Sequence, residues 1–413
     1  MKKYGFILGT NTALSLAEIF ECFKKVSASY RVISNSREVL VIETDYDLND
    51  FIGLLGGTIK IIEITDELET SKFEPDLIIS MALEEIKKIP VSPKFHVGLS
   101  IYTLSGPKKV LIRAQKSMGY FYLNLKKIAK KVGINLAYLK VKSTILSAAA
   151  VLKNKLLGRS GAEFIFICGE KVSYFGKTVG VQDVDYYTKL DVGRPRRDLF
   201  SGTTPPKLAK IMVNLLGSDK YANIIDPFCG SGTFLQQMVL AGYQNIFGSD
   251  ISQSAISDSE ENLAWLSEEL DINAPVKVKL ADATDLKNIY PRTFFDGVVF
   301  EGYLGPPLRE MPSKEELLSV GSELATLYNK FFTQISESLS PHSRIVAALP
   351  ALRTKNGYSL LDIGSALLDS GFKVANLTSS AKYVPNEFVT ERGSILYSRP
   401  GQFVYREILI LEK

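Results

Sequence analysis

The stretch "NIIDPFCGSGTFLQQMVLAG", residues 223–242, constrains this chain more than any other. It begins as a short apolar strand, passes through Gly230 and Gly232, and continues at once in a helical pattern. A strand that turns straight into a helix across glycines opens a sheet of parallel strands with helices returning over its faces. The same alternation runs on both sides of it. Helix "PPKLAKIMVNLL" precedes; strand "NIFGSD", helix "SAISDSEENLAWLSEEL", strands "VKVKLAD" and "DGVVFE", a long helix from about 313 to 339, strand "RIVAALPA", helix "SLLDIGSALLDSG", strand "KVANLTS" and a final "QFVYREILIL" follow. Residues 205–413 are therefore expected to form a Rossmann-like α/β domain.

The preceding residues follow a different plan. Strand "YGFILG", helix "SLAEIFECFKKV", strands "YRVISNS" and "EVLVIETD", helix "LNDFIGLLGG" and strand "IKIIEITD" make a βαββαβ pattern, which predicts a ferredoxin-like unit over 1–67. A second α+β unit spans 68–182, and a turn-rich, Arg-rich linker covers 183–204. At 413 residues the chain is long enough for two or three such cores. Its three cysteines are far apart, without a CxxC, and it has two histidines, so neither a disulfide framework nor a metal site is expected. The N-terminal apolar run stops at Thr10 without a cleavage pattern, and no apolar run reaches membrane-spanning length. A cytoplasmic protein is expected, with no membrane association; the sequence leaves the oligomeric state open and is compatible with a monomer.

Charge separates the halves. Residues 1–200 carry 30 Lys+Arg against 21 Asp+Glu, whereas 201–413 carry 19 against 24. Between Glu85 and Glu163 there are sixteen basic residues and no acidic one. A solvated face normally mixes signs, so this bias favours a polyanion partner held by counterion release. Lys126, Lys127, Lys130 and Lys131 cluster on one helix, and Lys140, Lys142, Lys153 and Lys155 extend the field. In the linker, Arg194, Arg196 and Arg197 could either touch phosphate or pin the chain to Asp191 and Asp198.

The glycine loop is a ligand loop or a bare strand-to-helix turn. Three acidic residues favour the ligand: Asp226 at the end of the first strand, Asp250 at the end of the second and Asp282 after the third. An acid at the end of the second strand is placed to accept both hydroxyls of a ribose. The full dinucleotide pattern GxGxxG is missing, as is the phosphate loop GxxxxGK[ST]. An uncharged-phosphate-free nucleoside amino acid, S-adenosylmethionine, is the ligand that fits. Cys229 lies in the loop with no histidine nearby in sequence and is expected to pack rather than react.

The segment "DPFCGSGTF" resembles motif I of the amino-group methyltransferases of nucleic acids. Together with "VQDVDYYTKLDVGRPRRDLFSGTTPPKLAKIMVNLLG", it is similar to the THUMP-domain tRNA guanine-N2 methyltransferases; "FILGTNTALSLAEI", "LSAAAVLKNKLL" and "YSRPGQFVYREILIL" extend the resemblance over nearly the whole chain. It implies a ferredoxin-like unit, a THUMP domain that grips tRNA, and a Rossmann-like domain that uses S-adenosylmethionine. By position it implies that Asp226, Phe228, Gly230 and Gly232 form the methionine side of the pocket. Asp250 would hold the ribose, Ile251 flank the adenine and Asp282 meet the adenine amino group. Leu190 stands where the family pattern has an arginine.

The stretch "VVFEGYLGPPLRE", residues 298–310, is the expected catalytic turn. An exocyclic amino nitrogen is a poor nucleophile because its lone pair is delocalised into the ring. Two acceptors that bond its hydrogens favour the geometry in which that pair points at the methyl group. Glu301 and the Gly302 carbonyl can form such a pair, while Tyr303 stacks on the base. Gly302 stands where the family pattern has proline. Three functions follow: guanine-N2 methylation of tRNA at position ten, RNA binding with weak or silent catalysis, and adenine-N6 or cytosine-N4 methylation.

Overall fold

The computed structural model describes residues 1–89, 94–139, 143–197, 204–272, 275–308, 310–375, 383, 389–399 and 401–413. Lys140 and Lys142, the Asp198 end of the linker and most of "KVANLTS" beyond Ala375 lie outside the described residues.

One sheet organises the first part. Its strands are β1 (Lys2–Leu8), β2 (Tyr30–Asn35), β3 (Val39–Thr44), β4 (Thr58–Glu69), β5 (Phe95–Leu104), β6 (Leu136–Tyr138), β7 (Gly161–Gly169) and β8 (Val172–Val181). They lie in the order β2-β3-β1-β4-β8-β7-β5-β6. The expected boundary between residues 67 and 68 falls inside β4, which pairs antiparallel with β1 on one side and β8 on the other. The second helix expected in the βαββαβ pattern is a single 3-10 turn, Phe51–Leu54. Glycines at 53, 56 and 57 explain why: each raises the entropic cost of a longer helix. The basic helix Met118–Lys131 forms as expected and buries Phe121, Tyr122, Leu125 and Ala129, a helical stripe that leaves its lysines outside. At the centre of this sheet Lys60 pairs with Glu163, both buried. Leu146 O (2.7 Å), Ser100 Oγ (2.6 Å) and Thr178 Oγ1 (2.6 Å) complete the hydrogen bonding of the pair. Removing one partner of such a buried pair costs roughly 3–5 kcal/mol.

The second sheet contains β9 (Asn223–Asp226), β10 (Asn245–Asp250), β11 (Val276–Leu280), β12 (Phe295–Glu301), β13 (Leu339–Thr354), β14 (Gly357–Ser359), β15 (Lys373–Val374), β16 (Ile395–Tyr397) and β17 (Val404–Glu412). Its order is β11-β10-β9-β12-β13-β17-β15, with β14 on β13 and β16 on β17. From β11 to β13 the pairs are parallel; β17 enters antiparallel between β13 and β15. The chain works outward from β9 through β10 to β11, then returns to the other side of β9 as β12. Ligands of such sheets bind at that reversal, outside the carboxyl ends of the strands.

The helix Lys314–Ile335 covers this region. It starts with a capping box in which Ser313 Oγ accepts from Glu316 N (3.2 Å) and Glu316 Oε2 accepts from Ser313 N (2.7 Å). Its buried residues Leu324, Tyr328, Phe331, Phe332 and Ile335 follow the helical period and join the core formed by Phe295, Val298 and Phe300 of β12. Each buried phenylalanine contributes about 1.5–3 kcal/mol, so the helix, and with it Tyr328, is firmly seated on β12.

By contacts the chain divides into Met1–Ser15 with Val26–Tyr186, and Leu16–Lys25 with Tyr187–Lys413. Leu16–Lys25, most of the first helix, thus belongs with the second unit: Asn214 Nδ2 donates to Glu18 (2.7 Å) and Arg344 Nη1 to Glu21 (3.1 Å). Among the described residues no helix is long and apolar enough to cross a membrane, and no group of His, Cys, Asp and Glu could hold a metal ion.

Candidate active site

Four acidic side chains line the carboxyl edge of adjacent parallel strands. Asp226 ends β9, Asp250 ends β10, Glu301 ends β12, and Asp282 follows β11 by two residues. Asp226 is fully buried; its Oδ1 accepts from Phe228 N (3.0 Å), while Oδ2 has no partner. Burial raises its carboxyl well above the usual range; the Phe228 N–H opposes this, and the charges of Asp250 and Glu301 add to it. The edge thus holds a buried carboxyl, biased toward its neutral form, with one oxygen unused.

Asp250 organises the loop from the next strand. Its Oδ2 accepts from Gly230 N and its Oδ1 from Ser252 N, both at 2.9 Å, and each oxygen keeps a lone pair. Gly230 has φ +50°, and the space a side chain would take there is open; Gly232 has φ +84° and sits against Ser259. Ile251 is 75% exposed, as a residue flanking a planar ligand should be. Asp282 is held by Thr284, whose N and Oγ1 both donate to Oδ1 at 2.8 Å; the Thr284 backbone bond is the main reason its carboxyl lies below the ordinary range. These groups suit a ligand with a ribose, a planar base and positive charge.

Phe228 is half-buried at the margin of the core, beside the glycine loop. Its ring packs with Phe300 (5.1 Å), Phe331 (5.3 Å) and Tyr328 (6.3 Å) in the aromatic core. Its backbone N–H serves the loop through Asp226 Oδ1, and the ring keeps partial exposure beside it. Cys229 is buried and its thiol is pushed up by burial, which suits packing rather than nucleophilic chemistry.

The turn after β12 carries Glu301, Gly302 and Tyr303 at the carboxyl edge of the sheet, where two further residues meet them. Tyr303 is 54% exposed, free to stack. Gly302 N donates to Ala348 O (3.2 Å), and Tyr328 Oη donates to Tyr303 O (2.8 Å), so the turn is tied to β13 and to the covering helix. A Cβ at residue 302 would stand 2.1 Å from Tyr328 Oη, which explains glycine in place of proline: the tyrosine occupies the space. The second residue is Arg406 of β17, whose Nε (2.5 Å) and Nη2 (3.1 Å) grip the Glu301 carboxylate. That pair holds the carboxylate in one orientation while leaving each oxygen a further lone pair. Beside the turn, a cavity of about 350 Å³ is lined by Pro306, Pro307, Met311, Val320 and Leu352.

The basic residues fall into two groups. Lys126, Lys127, Lys130 and Lys131 are exposed, with no ion pair among the described residues, as are Lys153 and Lys155. The linker arginines differ from one another. Arg197 is exposed, but Arg196 bonds Glu261 of the helix Gln253–Leu270 (Nε to Oε2, 2.7 Å), and Arg194 is buried with Nη1 on Thr233 Oγ1 (2.6 Å). Arg196 thus pins the linker to Glu261, and Arg194 lacks the exposure a phosphate contact needs. Leu190 is buried, so the residue that departs from the family pattern serves as packing.

Arg406, Tyr328 and the burial of Arg194 were missed in the sequence. Arg406 lies 105 residues from Glu301, and only the pairing of β17 on β13 brings it there. No local pattern carries that information.

The sheet order, the glycine loop and the acidic edge define a Rossmann-like methyltransferase fold. Residues 218–359 match the family model described as a methyltransferase domain. Two curated relatives carry the name tRNA (guanine(10)-N2)-dimethyltransferase. That of Methanothermobacter thermautotrophicus is 30% identical over 151 residues, 37% of this chain and 40% of the relative. That of Methanocaldococcus jannaschii is 33% identical over 121 residues, 29% of this chain and 32% of the relative. The matched segments therefore span well under half the length of either relative. Among solved structures, TrmN from Thermus thermophilus superposes with a TM-score of 0.53 at 14% identity, covering 100% of this chain and 99% of that one, a likeness of fold.

Proposed function

We propose that this chain methylates the exocyclic N2 of a guanosine in tRNA, at position ten, with S-adenosylmethionine as methyl donor, and that it works in the cytoplasm. The observation that carries the proposal is the acceptor pair at the carboxyl edge. Glu301 is oriented by Arg406, and the adjoining Gly302 carbonyl belongs to a turn fixed by Ala348 and Tyr328. Both accept, so both can bond the two hydrogens of an amino group while the exposed Tyr303 ring stacks on its base. The names of the two archaeal relatives support guanine, tRNA and position ten.

Asp226, Phe228, Gly230, Gly232, Asp250, Ile251 and Asp282 would hold the cofactor, whose sulfonium, when bound, supplies an electrophilic methyl group. Asp250 and Asp282 at that edge suit a cation better than a dinucleotide's phosphates. The exposed lysines of Met118–Lys131 would hold the RNA backbone in the role of a THUMP domain; the ferredoxin-like and THUMP parts expected over 1–67 and 68–182 would then share one sheet through β4, followed by a linker over 183–204 and a catalytic domain over 205–413.

The test is incubation with labelled S-adenosylmethionine and unmodified tRNA, followed by digestion to nucleosides. Label is expected in N2-methylguanosine or N2,N2-dimethylguanosine; label confined to an adenine or cytosine product overturns the guanine assignment. One observation favours a second function, RNA binding with weak catalysis, because Arg406 already occupies the Glu301 carboxylate. Tight tRNA binding without calorimetric heat from the cofactor would select it.

A further inference from the structure

We propose that Arg194 and the first turn of the helix Thr233–Leu240 form the seat for the α-carboxylate of the cofactor's amino-acid end, an inference that rests on the methyltransferase reading above. Arg194 is 3% exposed. Of its donor groups, Nη1 bonds Thr233 Oγ1 (2.6 Å), while Nε and Nη2 have no partner among the described residues. A buried guanidinium with one edge unused is costly and calls for an anion.

The unused edge is the one that binds carboxylates. Arg406 uses the same two atoms, Nε and Nη2, to grip Glu301, so the chain itself displays the geometry. Thr233 is the first residue of its helix, and the cap before it, Gly232, offers no side-chain acceptor to the N–H groups of the first turn. Helix N-termini of this kind favour negative charge. A second buried group points the same way: Asp226 Oδ2, at the other end of the loop, also lacks a partner. One loop is therefore bracketed by a buried guanidinium whose Nε and Nη2 lack hydrogen-bond partners, with Asp191 the nearby negative charge, and a buried carboxyl whose Oδ2 lacks one. An amino-acid zwitterion satisfies both, its carboxylate at Arg194 and its ammonium at Asp226.

The experiment is calorimetry on the full chain with two probes, S-adenosylhomocysteine and 5′-methylthioadenosine, which lacks the amino-acid end. Arg194→Met is expected to weaken S-adenosylhomocysteine roughly tenfold or more while leaving 5′-methylthioadenosine within about twofold. Equal losses for both probes, or no loss for either, would make Arg194 a structural pin and overturn the inference. Should Arg194→Met not fold, Arg194→Lys serves: it keeps the charge but loses the fork, so the selective loss should persist at smaller size, and its absence overturns the inference. Wild-type protein that binds both probes equally also overturns it while leaving the methyltransferase reading standing. Wild-type protein that binds neither overturns both.

Discussion

Gly302 is fixed by its neighbour rather than by its own freedom. With Tyr328 Oη 2.1 Å from the place of a Cβ, even alanine must displace either the turn or the tyrosine. Gly302→Ala is expected to lower kcat by about a hundredfold, since misplacing an acceptor by an ångström costs that much. Adding Tyr328→Phe, which removes the clashing oxygen, should recover part of the loss; Gly302→Ala or Gly302→Pro with full activity would refute this account of the turn. Asp226 supports a prediction in pH. Burial raises its folded carboxyl above the unfolded value, so its contribution to stability is fully present below the unfolded pKa, about 4, and is lost as pH rises through the folded one. Without ligand, the melting temperature of wild type should fall across that window. Asp226→Asn, which cannot ionise, should show a flatter profile and weaker cofactor binding. Parallel profiles for the two proteins would mean that Asp226 is not the group that titrates.

At the scale of elements, β13 carries the turn. It is a central strand, between β12 and β17, yet it contains Pro350, a residue normally confined to edges. The register supplies a reason. Glu301 faces Ala348 and Gly302 N donates to Ala348 O, so the next parallel ladder bond, to the Gly302 carbonyl, would come from the N–H of residue 350. Proline has none, and the carbonyl stays available to a substrate. Pro350→Ala restores the donor; it should lower kcat with little change in KM for tRNA or cofactor affinity and raise stability by about 0.5–1.5 kcal/mol. Unchanged kcat in that variant would show that the carbonyl takes no part. Much of this architecture was legible: strand ends at Asp226, Asp250 and Glu301 follow from local apolar runs and glycines, which encode short-range structure. What pairs across the sheet was not. Arg406 on Glu301 and Pro350 under Gly302 depend on register between distant strands. The 3-10 turn at Phe51–Leu54 shows the converse, an apolar run whose glycines outweighed its helical spacing.

For the whole molecule, the division of charge predicts how substrate affinity is distributed. The first 200 residues carry nine more basic than acidic side chains and the remainder five more acidic than basic, from 30 against 21 and 19 against 24. A polyanion should therefore be held by the first half and only oriented by the second, whose charge balance is acidic. Lys126, Lys127, Lys130 and Lys131 are exposed and unpaired among the described residues, so each phosphate they neutralise releases a counterion. Replacing all four with glutamine should weaken tRNA binding and reduce the slope of log K against log salt by roughly three, at about 0.7–0.9 per contact. The distinguishing feature is what stays constant. Affinity for S-adenosylhomocysteine, which the acidic strand ends of the second sheet would hold, should not change, and kcat at saturating tRNA should stay within about twofold. A slope that does not move places the RNA elsewhere on the protein; a fall in cofactor affinity would mean that the lysines support the fold rather than the substrate.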